Sequence, residues 1–227
     1  MRDPMLRFMI GYPIVFGIIG RYVIPWAAEI GALDLRTQGD FPLVFLLLMT
    51  PHVFGAVIGF SILDDRDDGV LISIGVTPLG VHRFLSFRLI LLFTMSVVSC
   101  LYVLWFSNLG ILGAGDILGL SLLASLAAPM SGLLINAVAT NKIEGFAVMK
   151  GTGIILIFPI AGMFFADAKE LLFGFAPGFW PAKVVSTVVR GSDAMFLGYW
   201  QYYGIGLAYV VLLNVLAYRS ALRRMGN

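Results

Sequence analysis

Long apolar runs separated by short polar breaks form the main pattern of the chain. An α-helix rises about 1.5 Å per residue, so about 20 apolar residues are needed to cross roughly 30 Å of hydrocarbon. Six runs meet or approach this length, and they predict an all-α integral membrane protein with a single transmembrane domain over residues 1–227. The predicted spans are approximately Phe8–Ile30, Phe41–Leu63, Phe84–Phe106, Ile117–Thr140, Gly151–Phe165 and Tyr199–Tyr218.

The segment between the fifth and sixth runs, "FADAKELLFGFAPGFWPAKVV", is apolar but is interrupted by Pro177 and Pro181. Backbone polar groups cannot stay unpaired in lipid, so a broken segment must lie against protein or at the membrane interface. We therefore predict a re-entrant segment over residues 168–190, made of two short helices that dip back from one surface.

Composition agrees with a bilayer environment. The chain is 59% hydrophobic and 12% charged, whereas a soluble domain is about 45–50% apolar and about 25% charged. The net charge of +2 and the lack of a basic stripe do not predict nucleic-acid binding. Cys100 is the single cysteine, so the sequence predicts neither an intramolecular disulfide nor a cysteine metal site.

Lysine and arginine residues are unevenly distributed between the two sides of this arrangement. Ten lie on one side: Arg2, Arg7, Arg66, Arg83, Arg88, Lys142, Lys150, Arg219, Arg223 and Arg224. Four lie on the other, Arg36, Lys169, Lys183 and Arg190, and Arg21 falls inside the first span. Because cytoplasmic loops carry the excess of basic residues, both termini are predicted to be cytoplasmic. In an alternative interpretation the first run is a cleaved signal peptide, which would leave five spans.

An acidic block follows the second run. "SILDDRDDGVLISIGVTPLG" contains four aspartates around one arginine, and its apolar stretch Gly69–Val76 is too short to cross a membrane. Thr77 and Pro78 are typical of an N-cap followed by proline at the first helical position, which would start the third span. We therefore predict a short interfacial helix over Asp64–Val76, with its acidic N-terminal end favoured by the helix dipole. Its combination of carboxylates and apolar surface suits docking of a soluble partner.

"ILDDRDDGVLISIGVTPLGVHRFLSFR" resembles the region between the second and third spans of ABC-2 type exporter permeases. Those proteins carry an acidic pair, an arginine, an acid and a glycine there, followed by Thr-Pro-Leu before the next helix. Three further stretches are similar to the same family: "RDPMLRFMIGYPIVF", "NKIEGFAVMKGTGIILIFPIAG" and "FGFAPGFWPAKVV". The likeness covers nearly the whole chain and is greatest to bacterial permeases of fluoroquinolone-type drug efflux.

This resemblance implies six spans of the ABC-2 (type V ABC exporter) permease fold in a bacterial plasma (inner) membrane. It also implies an identical or related second permease chain, and a separate cytoplasmic ABC ATPase subunit that holds ATP and Mg while this chain binds no cofactor. Residues 64–76 would be the coupling helix. The implied coupling residues are Asp64, Asp65, Arg66, Asp67, Asp68, Gly69, Leu71, Thr77 and Pro78.

The resemblance places a second ATPase contact in the loop Asn141–Lys150, through Lys142 and Glu144. Such permeases usually begin with an amphipathic elbow helix on the membrane surface. Seven residues precede Phe8 here, so we expect the elbow to be lost or to lie before the assigned start.

Polar residues within the predicted spans are candidates for a translocation path, because polar groups are costly in lipid. They are Arg21, His52, Asn136 and Asn214. Arg21 could instead reach the outer interface or pair with Glu29, and His52 could face protein rather than substrate. Asn136 and Asn214 could serve as interhelical hydrogen bonders, while Gly55 and Gly59 permit close helix approach.

Several other kinds of chemistry are disfavoured. The chain contains no G-x-x-x-x-G-K-[ST] motif, so it has no P-loop, and a partner would have to supply any ATP site. "GAGD" at Gly113–Asp116 matches an intramembrane aspartyl protease motif, but Asp167, its only candidate partner, falls with it at the predicted external surface. His52 and His82 are the only histidines and are predicted to lie at opposite faces or depths, so neither a metal site nor a Ser-His hydrolase is supported.

Two other functional classes remain open. An ion-gradient-driven secondary transporter would need carboxylates near the membrane midplane, whereas every Asp and Glu falls near a span end or in a loop. The second class is a non-transporting assembly scaffold or a lipid-active enzyme. The sequence contains no recognisable set of catalytic residues in its support. The leading hypothesis is therefore an ATP-driven exporter subunit for a lipophilic or amphipathic compound.

Overall fold

The computed structural model describes residues 11–32, 39–77, 80–109 and 112–225, apart from the side chains of residues 71, 72, 224 and 225. Within these ranges all regular elements are helices. Five helices are long and apolar enough to cross a membrane: Asp40–Asp67, Gly80–Ser107, Ala114–Val138, Lys142–Gly162 and Tyr199–Arg223. They confirm the second to sixth predicted spans as apolar helices of membrane length.

The first predicted span is described only in part. Its helical residues run through α1 (Tyr12–Ile18), a π-helical turn (Ile19–Val23) and α2 (Ile24–Glu29). This segment is not among the five helices of membrane length, so the six-span count stays a prediction.

The second span, α3 (Asp40–Asp67), is the central helix of the bundle. It has 28 residues, which corresponds to about 42 Å at about 1.5 Å per residue. Its glycines allow close packing on the fourth span: a Cβ at Gly55 would lie 2.7 Å from the Ser131 Cβ, and one at Gly59 would lie 2.7 Å from Ile135 Cδ1. The predicted role of Gly55 and Gly59 is therefore confirmed.

The remaining helices surround α3, and two of the spans are broken. The elements are α4 (Val70–Gly75), α5 (Gly80–Ser107), α6 (Ala114–Ser125), α7 (Ala127–Val138), α8 (Lys142–Ile155), α9 (Ile157–Gly162), α10 (Phe179–Arg190) and α11 (Tyr199–Met225). The breaks at Leu126 and Leu156 each come three residues before a proline, Pro129 and Pro159. Proline cannot donate a backbone hydrogen bond to the residue four positions earlier, which explains both breaks.

The predicted helix over Asp64–Val76 is wrong as a single element. Asp64 and Asp67 belong to the last turn of α3, and the chain turns at Gly69, whose φ of +69° lies in the left-handed region. Glycine adopts this conformation without steric cost, so it ends one helix and lets α4 begin at Val70. The aspartates therefore lie at a helix C-terminus, where the dipole disfavours negative charge.

Two other boundaries differ from the prediction. Thr77 does not cap α5, because its hydroxyl donates to the Ile74 carbonyl at 2.7 Å; Pro78 lies outside the described residues. The predicted loop Asn141–Lys150 is helical from Lys142 onward, because the Asn141 side chain accepts a hydrogen bond from the backbone N–H of Glu144 and caps α8.

The segment between the fifth and sixth spans forms short helices, as predicted. A 3₁₀ helix at Ala168–Phe173 is followed by α10 and by a 3₁₀ turn at Ser192–Ala194. The first nine of the twelve residues of α10 are buried. Re-entry into a membrane stays a prediction.

Candidate functional site

The acidic block at the end of α3 is held by basic partners from other helices. Lys142 Nζ lies 2.7 Å from Asp64 Oδ1. Arg88 of α5 forms an ion pair with Asp65 and also donates to the Ser61 hydroxyl. These contacts tie the end of the second span to the starts of the third and fifth spans, and they place positive charge where the helix dipole and the carboxylates are both negative.

Arg66 turns inward from the same turn of α3. Its guanidinium donates to the backbone carbonyls of Ala139 at 3.0 Å and Thr140 at 2.6 Å. The last carbonyls of a helix have no intrahelical donors, so Arg66 caps the C-terminal end of α7. Arg66 therefore connects the second and fourth spans, and its predicted contact with an ATPase stays a prediction.

The Glu144 carboxylate forms hydrogen bonds with the residues just before α8. One of its carboxylate oxygens accepts from both the backbone N–H and the hydroxyl of Thr140, each at 2.7 Å. Together with the Lys142 ion pair, this brings the two predicted ATPase-contact regions into one cluster. Most of its charged groups already have partners within the chain.

Two aspartates of the block remain exposed. Asp67 and Asp68 face outward at the turn between α3 and α4. Val76, at the end of α4, is 86% exposed, and Ile143, next to Lys142, is 83% exposed. We call Asp67, Asp68, Val76 and Ile143 the acidic edge. Gly69 supplies its turn, and the Leu71 side chain lies outside the described residues.

A second charged cluster lies at the opposite end of α3 and was missed by sequence reasoning. Asp40, the first residue of α3, is fully buried. Its Oδ2 accepts from Ser186 at 2.8 Å and lies 2.7 Å from the Arg190 guanidinium. The Arg190 guanidinium also lies over the Phe41 ring, 5.7 Å from its centroid. These contacts fasten α10 to the start of the second span.

Lys183 and Glu170 form the other half of this cluster. Both side chains are 0% exposed, and Lys183 Nζ lies 2.6 Å from Glu170 Oε2. Lys183 also donates to the Phe165 carbonyl at 2.6 Å, and the Tyr202 hydroxyl donates to Glu170. Burial lowers the pKa of the Lys183 amino group, whereas the carboxylate of Glu170 opposes that shift.

One signal in the sequence could have revealed this cluster. Lys183, Ser186 and Arg190 are spaced by three and four residues, which places them on one face of a helix. Within an apolar segment, such a polar face requires buried partners. Their identity, Asp40 and Glu170, follows only from the fold.

A largely apolar cavity of about 420 Å³ lies between the second, fourth, fifth and sixth spans. His52 lines it from α3, and Phe175 and Pro177 contribute from the segment before α10. Of the predicted path residues, His52 is the one that reaches this cavity. The structure therefore does not bring the four predicted path residues together.

The two predicted asparagines connect helices. Asn136 Nδ2 donates to the Gly59 carbonyl at 3.1 Å, and Asn214 Nδ2 donates to the Leu126 carbonyl at 2.9 Å. Their interpretation as interhelical hydrogen bonders is confirmed. Arg21 lies exposed in the π-helical turn and, among the described residues, makes no ion pair with Glu29.

Comparisons with known proteins add to this geometry. The family described as "Fluoroquinolones export permease protein Rv2686c-like" matches residues 1–218. Two proteins of Mycobacterium tuberculosis, named fluoroquinolones export permease protein MT2760 (strain CDC 1551 / Oshkosh) and Rv2686c (strain ATCC 25618 / H37Rv), are each 34% identical over 192 residues. Each alignment covers 80% of this chain and 75% of the relative.

Proposed function

Because the chain belongs to the Rv2686c-like family of fluoroquinolones export permeases, we propose that it is the membrane-spanning subunit of an ATP-driven drug exporter. The observation that carries this proposal is the 34% identity, over 192 residues, with relatives named as permeases, in a chain with five helices of membrane length. The transported compound is lipophilic or amphipathic, and a separate ABC ATPase subunit supplies the energy.

The acidic edge is the proposed contact with the ATPase. Asp67 and Asp68 are exposed, whereas Asp64 and Asp65 are paired with Lys142 and Arg88. Only exposed carboxylates are free to meet basic groups of a partner without first breaking an internal ion pair. Apolar side chains at Val76 and Ile143 add surface that a partner can bury.

The charged cluster behind the acidic edge suits transmission of movement. Asp64, Asp65 and Arg66 connect the edge to the third, fourth and fifth spans. A partner that pushes on the edge would therefore move several spans as a unit. We propose that two such permease chains, identical or related, work with two ATPase subunits in this way.

Charge reversal at the acidic edge tests the proposal. Where the neighbouring reading frame encodes an ATPase with a Walker A motif, the two proteins are co-expressed, and drug export is measured in membrane vesicles. Asp67→Lys combined with Asp68→Lys should lower co-purification of the ATPase and reduce ATP-dependent export by about tenfold or more, because two attractive charges become repulsive. Membrane insertion should be unchanged.

Asp167→Lys combined with Asp193→Lys is the matched control, since both of these aspartates are exposed at the opposite end of the bundle. This control should leave ATPase co-purification intact. If ATP-dependent export survives reversal of Asp67 and Asp68, the acidic edge is not the coupling contact. Export driven by an ion gradient in vesicles without any ATPase would overturn the ATP-driven assignment in favour of a secondary transporter.

A further inference from the structure

The cavity between the second, fourth, fifth and sixth spans contains polar groups that the protein does not use. His52 and Ser131 both line it, and Ser131 is only 5% exposed. Among the described residues, none hydrogen-bonds to the His52 imidazole or to the Ser131 hydroxyl. Ser131 is buried and His52 is half-buried. Polar groups inside a protein usually have partners, so two unpartnered ones on one cavity wall point to an outside partner.

Two other polar side chains of the wall form hydrogen bonds within the protein. The Thr152 hydroxyl donates to the Met149 carbonyl at 2.8 Å, and the Tyr209 hydroxyl donates to the Phe175 carbonyl at 2.6 Å. The Ser220 hydroxyl of α11 also lines the wall without a partner among the described residues, but Ser220 is exposed at the surface of the bundle. His52 and Ser131 belong to the second and fourth spans, which cross closely here. Gly55, one turn after His52, allows that crossing, because a Cβ there would lie 2.7 Å from the Ser131 Cβ.

The size and charge of the cavity restrict its occupant. A volume of about 420 Å³ falls within the range of roughly 300–1,000 Å³ typical of small-molecule sites. A helix with its side chains is about 10 Å wide, so a helix of a second chain does not fit. Among the described residues, His52 is the only side chain with an acidic or basic group that lines the cavity. A charged ligand would therefore lose its hydrating water without gaining an opposite charge, which disfavours its binding.

Residues of the fifth and sixth spans form part of the cavity wall. Thr152 and Leu156 line it from one side, and Leu213, Leu216 and Ser220 line it from α11. Leu216 is 51% exposed, so this part of the wall reaches the surface of the bundle. Both helices are long and apolar enough to cross a membrane, so a ligand that passes between them would come from the bilayer.

We infer that this cavity binds a compact, uncharged and mostly apolar molecule, taken laterally from the bilayer and oriented by hydrogen bonds to His52 and Ser131. The inference rests on the proposed export function and assigns its substrate-capture site within a single chain. A lipid acyl chain would fit the apolar walls but would leave both polar groups unpaired, so a ligand with a carbonyl or hydroxyl group is favoured.

Binding to the purified full chain in lipid nanodiscs tests this assignment. The probe is the ethyl ester of flumequine, which is an uncharged fluoroquinolone derivative, measured by equilibrium dialysis against empty nanodiscs. Ala217→Phe places a ring in the cavity and should weaken binding by about tenfold or more. Ala208→Phe, an exposed position on the same helix, should change it by less than about twofold.

Replacement of each histidine tests whether the ligand is held by a hydrogen bond as well as by the shape of the cavity. His52→Leu should weaken binding by about five- to tenfold, because one neutral hydrogen bond is lost. His82→Leu removes the other histidine, which packs on Tyr218 outside the cavity, and should leave binding unchanged. Equal binding by the Ala217→Phe and Ala208→Phe variants would overturn the assignment. So would the absence of saturable probe binding together with a co-purifying lipid that Ala217→Phe displaces.

This assay contains no ATPase, so it separates the two proposals. If binding depends on Ala217 and His52 but the reconstituted pair does not export, the proposed function fails and the site stands. If export proceeds normally in the Ala217→Phe variant, the site fails and the proposed function stands.

Discussion

Lys183 of α10, the short helix between the fifth and sixth spans, forms an ion pair of 2.6 Å with Glu170, and both side chains are completely buried. Two charges removed from water are costly individually and stabilise only as a pair. This relationship, together with Asp40–Arg190, makes α10 part of the bundle core rather than a surface loop.

Removal of one partner from the buried pair should be strongly destabilising. Lys183→Met leaves Glu170 buried without its counter-charge, and we expect a loss of about 3–5 kcal/mol. Lys183→Met combined with Glu170→Gln should recover most of that loss, because no unpaired charge remains. Thermal unfolding of the purified protein in detergent measures both variants.

Lys169→Met is the matched control for this prediction. Lys169 is 72% exposed and lies 3.6 Å from Asp167, so its loss should cost less than about 0.5 kcal/mol. If Lys183→Met and Lys169→Met unfold at the same temperature, the buried pair does not stabilise the fold.

The close crossing of the second and fourth spans should not tolerate a larger residue. A Cβ at Gly132 would lie 2.6 Å from Ile58 Cγ2 and 3.0 Å from the Gly55 carbonyl oxygen. Gly132→Ala should therefore destabilise the protein by about 1–3 kcal/mol, despite the higher helix propensity of alanine. Gly204→Ala, where nothing lies within 4 Å of the added Cβ, should be neutral or stabilising in the same thermal assay. The opposite order of the two variants would contradict this packing.

The Asp64–Lys142 ion pair should show a small, measurable coupling. Both side chains are partly exposed, at 24% and 43% respectively, so the pair should contribute about 0.5–1 kcal/mol. Asp64→Lys and Lys142→Asp should each destabilise the protein, and the double exchange should restore part of the loss. A double-mutant cycle by thermal unfolding measures the coupling free energy. Additive effects of the two substitutions would show that the ion pair does not stabilise the protein.

Thiol labelling should place the two ends of the bundle on opposite sides of the membrane. Cys100 is fully buried, so the native background should be low, and Cys100→Ala removes it. Asp67→Cys should react with a membrane-impermeant maleimide only in permeabilised cells, because the basic end is predicted to be cytoplasmic. Ser192→Cys should react in intact cells. Labelling of Asp67→Cys in intact cells would reverse the orientation and remove the basis for ATPase docking there.

The local character of the chain could be predicted from the sequence because hydrophobicity is a property of each segment. Five of six predicted spans are helices of membrane length, and the proline-interrupted segment before the last span forms short helices. Asn136 and Asn214 were correctly interpreted as helix connectors, because an amide within an apolar run must find a partner on a neighbouring helix.

The partners of the charged residues could not be predicted in this way. Arg66 bonds to the carbonyl of a residue 73 positions away, and Ser186 bonds to a residue 146 positions away. The acidic block looks uniform in the sequence, yet three of its members face inward and two face outward. That division depends on how α3 is rotated against α5, α7 and α8.

The sequence by itself therefore determined that most of this protein lies in lipid, where its helices are approximately placed and at which end basic residues collect. The first two follow from the transfer free energy of individual residues between water and lipid, and the third follows from the positions of Lys and Arg along the chain. Only the tertiary structure decided which aspartates are exposed, why α10 is buried and where a cavity remains between spans. These features arise from contacts between residues far apart in the chain, for which hydropathy carries no information.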